Sequence, residues 1–322
     1  MFAALLDRAG HDVEATARGE HLDAIANGGL RLDGGFGEHV ARVSVAERLV
    51  ARPDIAILAT KAQDAAAALE PHRDLLEHVP VLVVQNGLGG LRVAHDVLPH
   101  SPLLGGLALF AASYLEPGRV TVTAGLPTVV GAGPGCDTAT LDRVVASIGD
   151  AVPLEVTRDI EAAQWTKLLI NHVNALPAIT GMPVQDVIAD PDLRRIMTAS
   201  MRETARVAVR SGARFATVQG VPGALIRSLA FLPLSIGQRF PLRIARRMGD
   251  VPNPGSTLQS IRRGRRTEID FLNGATVRIA REHGIDAPIN AALVALVHEV
   301  ERSGTHVPRD AVVRRIPLPG AA

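Results

Sequence analysis

Three polar side chains are spaced so that they share one face of a predicted helix. Within Trp165–Asn174, Lys167, Asn171 and Asn174 stand at positions i, i+4 and i+7. An α-helix would therefore place one ammonium and two carboxamides along a single stripe. Such a stripe is also typical of a solvated helix surface, but these groups can donate protons and hydrogen bonds to a substrate oxygen.

Lysine is scarce in this chain. Only Lys61 and Lys167 are lysines among the 34 basic residues, and the others are arginines. Arginine stays charged at any working pH, whereas a partly buried lysine with a lowered pKa can act as a general acid. A chain biased towards arginine should keep lysine where arginine cannot replace it, so both lysines are candidates for a chemical role.

Three polar residues directly follow predicted β-strands. They are Arg18 after Val13–Ala17, Lys61 after Ile55–Thr60 and Asn86 after Val81–Gln85. Ligands of open α/β sheets bind beyond the carboxyl ends of the strands, where an arginine can accept the 2′-phosphate of NADPH. For Asn86, formation of a turn by the Asn-Gly pair is as good an explanation as ligand binding.

The elements that must position these residues alternate between strand and helix in the first half of the chain. This alternation predicts an α/β fold with a parallel sheet. Besides the three strands above, we expect strands at Leu103–Leu109 and Leu154–Thr157, a hairpin of Arg119–Thr123 with Thr128–Gly131, and helices at Glu20–Asn27, Asp64–Leu75, Leu88–Val97 and Thr138–Ile148.

The second half has a helical pattern. The expected helices are Asp159–Ala175, Asp190–Ser211, Ser256–His283, with Ser256 as a natural N-cap, and Asn290–Ser303. We therefore predict a nucleotide-binding domain over residues 1–158 and a helical substrate domain over residues 159–322. The segment Val218–Pro254 between two of these helices is either a mobile lid or an amphipathic connector, and we favour the connector.

The chain begins within a nucleotide-binding pattern rather than before it. In a doubly wound domain the first strand leads into a glycine-rich turn and a helix that points at the pyrophosphate. Here we interpret Met1–Ala9 as that helix and Gly10 as the residue that ends it, and no Gly-x-Gly-x-x-Gly precedes the helix. We expect either a start upstream of Met1 or a protein without the motif. We favour the first, because a sheet without its central strand has unpaired edges.

Composition argues against several classes of partner. The net charge of +1 provides no field that would favour nucleic acid or an acidic membrane. The single cysteine, Cys136, cannot form an intramolecular disulfide, and no pattern resembles a cysteine and histidine metal cluster. No apolar run approaches the roughly 18 residues of a membrane span. We expect a cytoplasmic protein without a metal, whose partner is a small molecule.

Together these pieces resemble the ketopantoate reductases. The matching residues are Arg18 in Ala17-Arg-Gly-Glu20, Thr60-Lys61, Gln85-Asn-Gly-Leu-Gly89, Lys167-Leu-Leu-Ile-Asn171, Ser256-Thr-Leu-Gln259 and Thr267-Glu-Ile-Asp-Phe-Leu-Asn-Gly274. The resemblance implies a Rossmann-type domain followed by a helical domain of the 6-phosphogluconate-dehydrogenase type. It also implies reduction of 2-dehydropantoate to pantoate with NADPH in pantothenate and coenzyme A synthesis.

The resemblance also implies a role for each matching residue. Lys167 would be the general acid that protonates the carbonyl oxygen. The other substrate-binding residues would be Asn171, Asn174, Asn253 and Ser256. The residues facing the cofactor would be Arg18, Lys61, Asn86, Ala112 and Glu268, with Glu268 near the nicotinamide ribose. The sequence does not give the oligomeric state, although the helical domain could supply the surface of a homodimer.

Two positions depart from the family pattern. Asn174 follows Asn171 by three residues, where better-known members have four, and Val184 stands where some members place another substrate-binding Asn. Two alternatives therefore stay open beside ketopantoate reduction. One is a related reductase that acts on another 2-oxo acid, and the other is a non-catalytic remnant that has lost nucleotide binding.

Overall fold

The computed structural model describes residues 1–114, 116–316 and 318, and the chain divides into two compact units. The first unit consists of Met1–Gln85 and Gly90–Ile160, and the second of Asn86–Gly89 and Glu161–Ala322. The first contains the sheets, and the second is built from helices, as the sequence predicts.

The strands of the first unit form three sheets. They are β1 (Glu14–Thr16), β2 (Leu30–Gly34), β3 (His39–Ala41), β4 (Ser44–Ala46), β5 (Ala56–Leu58), β6 (Val81–Val84), β7 (Leu103–Ala108), β8 (Ala111–Ser113), β9 (Arg119–Ala124), β10 (Thr128–Ala132) and β11 (Leu154–Val156). The largest sheet has the order β11-β10-β7-β6-β5, and only its β10–β7 pair is antiparallel. Strands β1 and β4 form a parallel pair, and the order of the third sheet is β3-β2-β9-β8.

The helices of the first unit pack against its sheets. They are α1 (Phe2–Arg8), α2 (Gly19–Gly28), α3 (Ala65–Leu69), α4 (Arg73–Leu76), α5 (Gly90–Val97) and α6 (Thr138–Ile148). All four residues of β6 are buried. Because successive side chains of a strand point to opposite faces, Leu82 and Val84 enter one hydrophobic core, and Val81 and Val83 enter another. The sheet is therefore covered on both faces, which explains why β6 is an unbroken apolar run.

Two expectations for the first unit are wrong. Strands β9 and β10 do not form a hairpin, because β9 pairs with β2 and β8, whereas β10 pairs with β7 and β11. Residue alternation identifies a strand but not its partner. The helix expected over Asp64–Leu75 is interrupted after Leu69 by a 3₁₀ turn, Glu70–His72. Pro71 lies in that turn, and proline lacks the N–H that a continuous α-helix needs.

The second unit packs its helices around its own core. They are α7 (Ile160–Asn171), α8 (Ala175–Thr180), α9 (Val184–Ala189), α10 (Pro191–Arg210), α11 (Gly223–Ser228), α12 (Leu234–Gly237), α13 (Arg239–Met248), α14 (Gly255–Arg262), α15 (Asn273–Glu282), α16 (Pro288–Ser303) and α17 (Arg309–Arg315). The Asp190 side chain caps α10 by accepting from the Asp192 and Leu193 N–H groups. Buried apolar residues of α8, α9, α10 and α16 meet in the largest core.

Two helices that the sequence predicts as continuous are interrupted. The helix expected over Asp159–Ala175 ends at Asn171, and a 3₁₀ turn, His172–Asn174, connects α7 to α8. The helix expected over Ser256–His283 ends at Arg262, and the chain reaches α15 through a second 3₁₀ turn, Ile269–Phe271. Hydrophobic periodicity does not report the first break, because Val173 and Leu176 continue the apolar spacing of α7. The second break does have a local signal, because residues 262–268 contain a glycine and no apolar side chain.

Two structural features are absent from the described residues. None of the helices in that part of the chain has both the length and the apolar character that crossing a membrane requires. Over the same residues, no three His, Cys, Asp or Glu side chains are grouped as metal ligands would be.

Candidate functional site

Helix α7 holds its polar residues in place through buried neighbours. Trp165, Leu168 and Leu169 are buried in the second unit. This packing leaves Lys167 and Asn171, four residues apart, on a partly exposed face of the helix. The polar stripe predicted from the sequence is therefore not a fully solvated surface.

Burial changes the acid–base behaviour of Lys167. Loss of solvent around its ammonium lowers its pKa from the usual 10.5 to about 8. An ammonium with a pKa near 8 is mostly protonated at neutral pH but releases its proton far more readily than an ordinary lysine does. Lys167 therefore has the acidity that a general acid needs, and arginine could not provide it.

The 3₁₀ turn after α7 brings Asn174 into a defined orientation. The Asn174 side chain is 8% exposed, and its Nδ2 donates to the Asn171 carbonyl at 3.1 Å. Its Oδ1 accepts from the Ser256 backbone N–H at 3.2 Å. Asn174 thus connects the end of α7 to the start of α14, and the structure brings Asn171, Asn174 and Ser256 together.

The start of α14 differs from the expectation that Ser256 caps it. Pro254 occupies the N-cap position, and the Ser256 side chain is exposed. Asn253 arranges this turn, because its Oδ1 accepts from the Gly255 N–H at 2.8 Å. The hydroxyl of Ser256 is therefore not used as a cap, and its residue lies at the helix start beside Asn174.

Gln185 on α9 holds the segment that leads to Asn253. Its Oε1 accepts from the Asn253 N–H at 2.9 Å, and its Nε2 donates to the Gly249 and Val251 carbonyls at 3.2 and 2.7 Å. Sequence reasoning missed Gln185, because its partners lie more than 60 residues away in the chain. Only tertiary structure reveals such a contact.

Gly255 and Val184 lie next to the cluster that Asn174, Asn253 and Ser256 form. A Cβ on Gly255 would be 2.5 Å from Asn174 Oδ1 and 3.5 Å from Val184 Cγ2. The backbone of Gly255 also has φ +72°, which favours glycine. Val184 is fully buried, and its N–H donates to the Asn253 carbonyl at 2.8 Å. The position that departs from the family pattern is therefore apolar and adjoins the Asn174 cluster.

Asn86 and Glu268 belong to two segments that meet within the second unit. Glu268 directly precedes the 3₁₀ turn Ile269–Phe271. The Phe271 carbonyl accepts from the Leu88 N–H at 3.1 Å. The contact is so close that a Cβ on Gly87 would lie 2.0 Å from the Phe271 oxygen. Backbone packing thus explains the glycine of the Asn-Gly pair.

The other three predicted cofactor residues lie in the first unit. Arg18 is exposed between β1 and α2, with extended backbone angles, φ −139° and ψ 154°. Lys61 follows β5 and is partly buried. Ala112 is exposed in β8, and because its side chain is a methyl group, only its backbone could hydrogen-bond a ligand.

Gln85 is a second residue that sequence reasoning missed, and it contacts the backbone beside Lys61. Its Nε2 donates to the Thr60 carbonyl at 3.1 Å and lies 3.4 Å from the Lys61 carbonyl. The side chain is 8% exposed and connects the ends of β5 and β6. Its place directly before the Asn86-Gly87 pair is the one sequence signal that could have drawn attention to it.

Both halves of the chain match models of one protein family. Residues 1–135 match the model described as ketopantoate reductase PanE/ApbA. Residues 159–301 match the model described as ketopantoate reductase PanE/ApbA C terminal. The two matches together span most of the chain.

Individual proteins agree with the family models. A 2-dehydropantoate 2-reductase of Pyrococcus horikoshii is 29% identical over 307 residues, which are 94% of this chain and 94% of the relative. The crystal structure of a PanE/ApbA family ketopantoate reductase from Ralstonia eutropha has a TM-score of 0.79 and 28% identity, with 95% of each chain covered. A D-mandelate dehydrogenase with NADH and anilino(oxo)acetate has a TM-score of 0.77 over 94% of each chain, but at 21% identity it shows the fold alone.

Proposed function

Because the chain belongs to the ketopantoate reductase family, we propose that it reduces 2-dehydropantoate (ketopantoate) to pantoate with NADPH, in pantothenate and coenzyme A synthesis. The chain is an oxidoreductase by its family and relatives. The observation that carries the proposal is the Lys167 ammonium, whose pKa burial lowers to about 8, one helical turn from Asn171.

The second unit supplies the proton and the donors for the carbonyl substrate. Lys167 Nζ holds the proton that the carbonyl oxygen takes as the ketone becomes an alcohol, and the neutral amine is then reprotonated by solvent. The Asn171 and Asn174 carboxamides and the Ser256 hydroxyl hold the substrate. Donors directed at an oxygen that gains negative charge stabilise the transition state more than the bound ketone.

The first unit has cationic groups that suit a phosphorylated dinucleotide. Arg18 and Lys61 both follow parallel strands, at the carboxyl ends where α/β sheets bind ligands. Arg18 is exposed at the start of α2, and a guanidinium can contact a 2′-phosphate through two hydrogen bonds. When bound, NADPH supplies the hydride that reduces the carbonyl carbon. Asn86, Glu268 and the backbone of Ala112 complete the residues that we assign to the cofactor.

Cofactor preference tests the role of Arg18. An Arg18→Glu substitution should raise KM for NADPH about 10-fold or more, because it replaces a phosphate-binding cation with an anion. KM for NADH, which lacks the phosphate, should change little. Arg42→Glu makes the same charge change on another exposed residue of the first unit and is the matched control. Equal effects of the two substitutions would remove the case for Arg18.

The substrate is tested by the oxidation of NADPH with 2-oxo acids that differ in one group. Ketopantoate carries a terminal hydroxyl, and 3,3-dimethyl-2-oxobutanoate, of similar shape, has a methyl group in place of its hydroxymethyl group. A site that hydrogen-bonds this hydroxyl should prefer ketopantoate by about 100-fold or more in kcat/KM. Turnover of neither compound, nor of any other branched 2-oxo acid, would contradict a reductase function.

One observation favours a second candidate, a reductase for a different 2-oxo acid. Val184 provides no side-chain hydrogen bond beside Asn174 and Gly255, and it is fully buried. Without a polar side chain at this place, the chain has one hydrogen-bonding group fewer for a substrate hydroxyl, which suits a substrate that lacks one. Equal or higher kcat/KM for 3,3-dimethyl-2-oxobutanoate would support this candidate over ketopantoate.

A further inference from the structure

His172 is a buried histidine that the proposed chemistry does not use. It begins the 3₁₀ turn His172–Asn174 and is 1% exposed. Its Nδ1 lies 2.9 Å from the Leu168 carbonyl oxygen, and its Nε2 lies 2.6 Å from Thr204 Oγ1. The imidazole therefore connects the last turn of α7 to helix α10.

The partners of the imidazole determine which nitrogen carries the proton. A carbonyl oxygen only accepts, so Nδ1–H donates to Leu168. Burial lowers the pKa of His172 to about 4, and the ring is neutral at physiological pH. Nε2 is then an acceptor, and the Thr204 hydroxyl donates to it.

Thr204 is itself fixed by a buried polar network. Its Oγ1 lies 3.1 Å from Thr276 Oγ1 on α15, and Asn290 Nδ2 donates to it at 3.4 Å. The Asn290 amide also donates to Glu203 at 2.6 Å and to the Ser200 carbonyl at 3.2 Å. Residues of helices α10, α15 and α16 thus fix the Thr204 hydroxyl, which in turn hydrogen-bonds the His172 imidazole.

The turn that His172 anchors decides the direction of Asn174. In an α-helix, residues three apart differ in direction by about 60°, whereas in a 3₁₀ helix they are aligned. The 3₁₀ turn therefore puts Asn174 in line with Asn171 despite their spacing of three residues. In this orientation, Asn174 Oδ1 accepts from the Ser256 N–H.

We propose that His172 is a positioning residue, which holds the 3₁₀ turn against Thr204 and so directs Asn174 towards the substrate and Ser256. This inference rests on the proposed function for its kinetic consequence, but the geometry it describes can be measured without turnover. His172 acts through Asn174 and itself contacts neither substrate nor cofactor.

The test removes the hydroxyl that donates to the imidazole. Thr204→Val should speed exchange of the Ser256 backbone amide with deuterium by about 10-fold, because this amide depends on Asn174 Oδ1. Thr198→Val is the matched control, since Thr198 is also buried on α10 but donates to the Arg194 carbonyl. Thr204→Ser, which restores the hydroxyl, should return exchange to the wild-type rate.

Kinetics provide the second measurement. In Thr204→Val we expect KM for the 2-oxo acid to rise about 10-fold, which corresponds to about 1.4 kcal/mol. KM for NADPH should stay within about 2-fold, because no residue of this network is assigned to the cofactor. A residue with only a structural role would lower stability and leave the ratio of these two KM values unchanged.

The outcomes separate the two proposals. Equal Ser256 exchange in Thr204→Val and Thr198→Val would overturn the positioning role. A wild-type protein that reduces no 2-oxo acid would overturn the proposed function, while the exchange measurement would still decide the role of His172. If Thr204→Val does not fold, His172→Gln gives the same two measurements, because it removes the ring nitrogen that accepts from Thr204.

Discussion

The acidity of Lys167 is the property of a single residue on which the proposed chemistry depends. A general acid must be protonated, so kcat/KM for reduction should fall as the pH rises through about 8, the pKa that burial gives this ammonium. Above that pH, log(kcat/KM) should fall by about one per pH unit. A profile that stays flat to pH 10 would contradict the role.

Substitution of Lys167 tests the same role without a change of pH. Lys167→Arg keeps the charge but cannot release a proton, so we expect kcat to fall by about 100-fold to 10,000-fold. Lys167→Ala should abolish turnover with the fold intact, as circular dichroism would check. Full activity of Lys167→Ala would remove the assignment.

The buried imidazole of His172 should make the free energy of unfolding depend on pH. Burial holds its folded pKa near 4, below the usual 6.5, so the unfolded chain binds the proton first as pH falls. Stability from this group is present above pH 6.5 and is lost between pH 6.5 and 4, by about 3 kcal/mol.

Urea denaturation at pH 7 and pH 4.5 measures this loss. The difference in unfolding free energy between the two pH values should shrink in His172→Gln. It should stay as in the wild type in His283→Gln, whose side chain is exposed. An unchanged pH dependence in His172→Gln would show that another group is responsible.

Among the elements, helix α14 has a glycine with positive φ at each end, and only one of the two lies next to Asn174. Gly255 at its start and Gly264 just beyond its end both have positive φ, +72° and +62°. A Cβ on Gly264 meets nothing within 4 Å, whereas one on Gly255 would lie 2.5 Å from Asn174 Oδ1. The two glycines are therefore a matched pair for separating backbone strain from displacement of Asn174.

Alanine substitutions of this pair should have different effects. Both should lower the unfolding free energy by about 1–2 kcal/mol through left-handed backbone strain. Only Gly255→Ala should also raise KM for the 2-oxo acid, by about 10-fold. Kinetics and thermal denaturation of both variants check this, and a similar KM in both would contradict the contact with Asn174.

The elements also show the limits of sequence patterns. Strand β6 and helix α6 lie where the sequence predicts them, because an unbroken apolar run and a complete amphipathic period are local signals. The hydrogen bond between His172 and Thr204 is not a local signal, because it joins residues 32 positions apart. Strands β9 and β10 likewise belong to different sheets because of partner strands that lie far away in the chain.

The whole molecule has separate hydrophobic cores in its two units. Leu82 is fully buried in a core of the first unit, and Leu176 in that of the second. Leu82→Ala and Leu176→Ala should each lower the unfolding free energy by about 2–5 kcal/mol, as large-to-small core substitutions do.

Deuterium exchange tests whether these cores are separate. Each substitution should accelerate exchange first in peptides of the unit that carries it, because local opening depends on nearby packing. Equal acceleration in both units by either substitution would contradict separate cores.

The sequence by itself determined the α/β and helical halves, the family, and the candidate residues. Residue type, strand alternation and motif order are local properties that one chain displays. Only the tertiary structure decided the lowered pKa of Lys167, the contact of Asn174 with Ser256, and the support from Gln85, Gln185 and His172. Burial and hydrogen bonds between distant residues depend on which surfaces meet, and the linear spacing of residues does not contain that information.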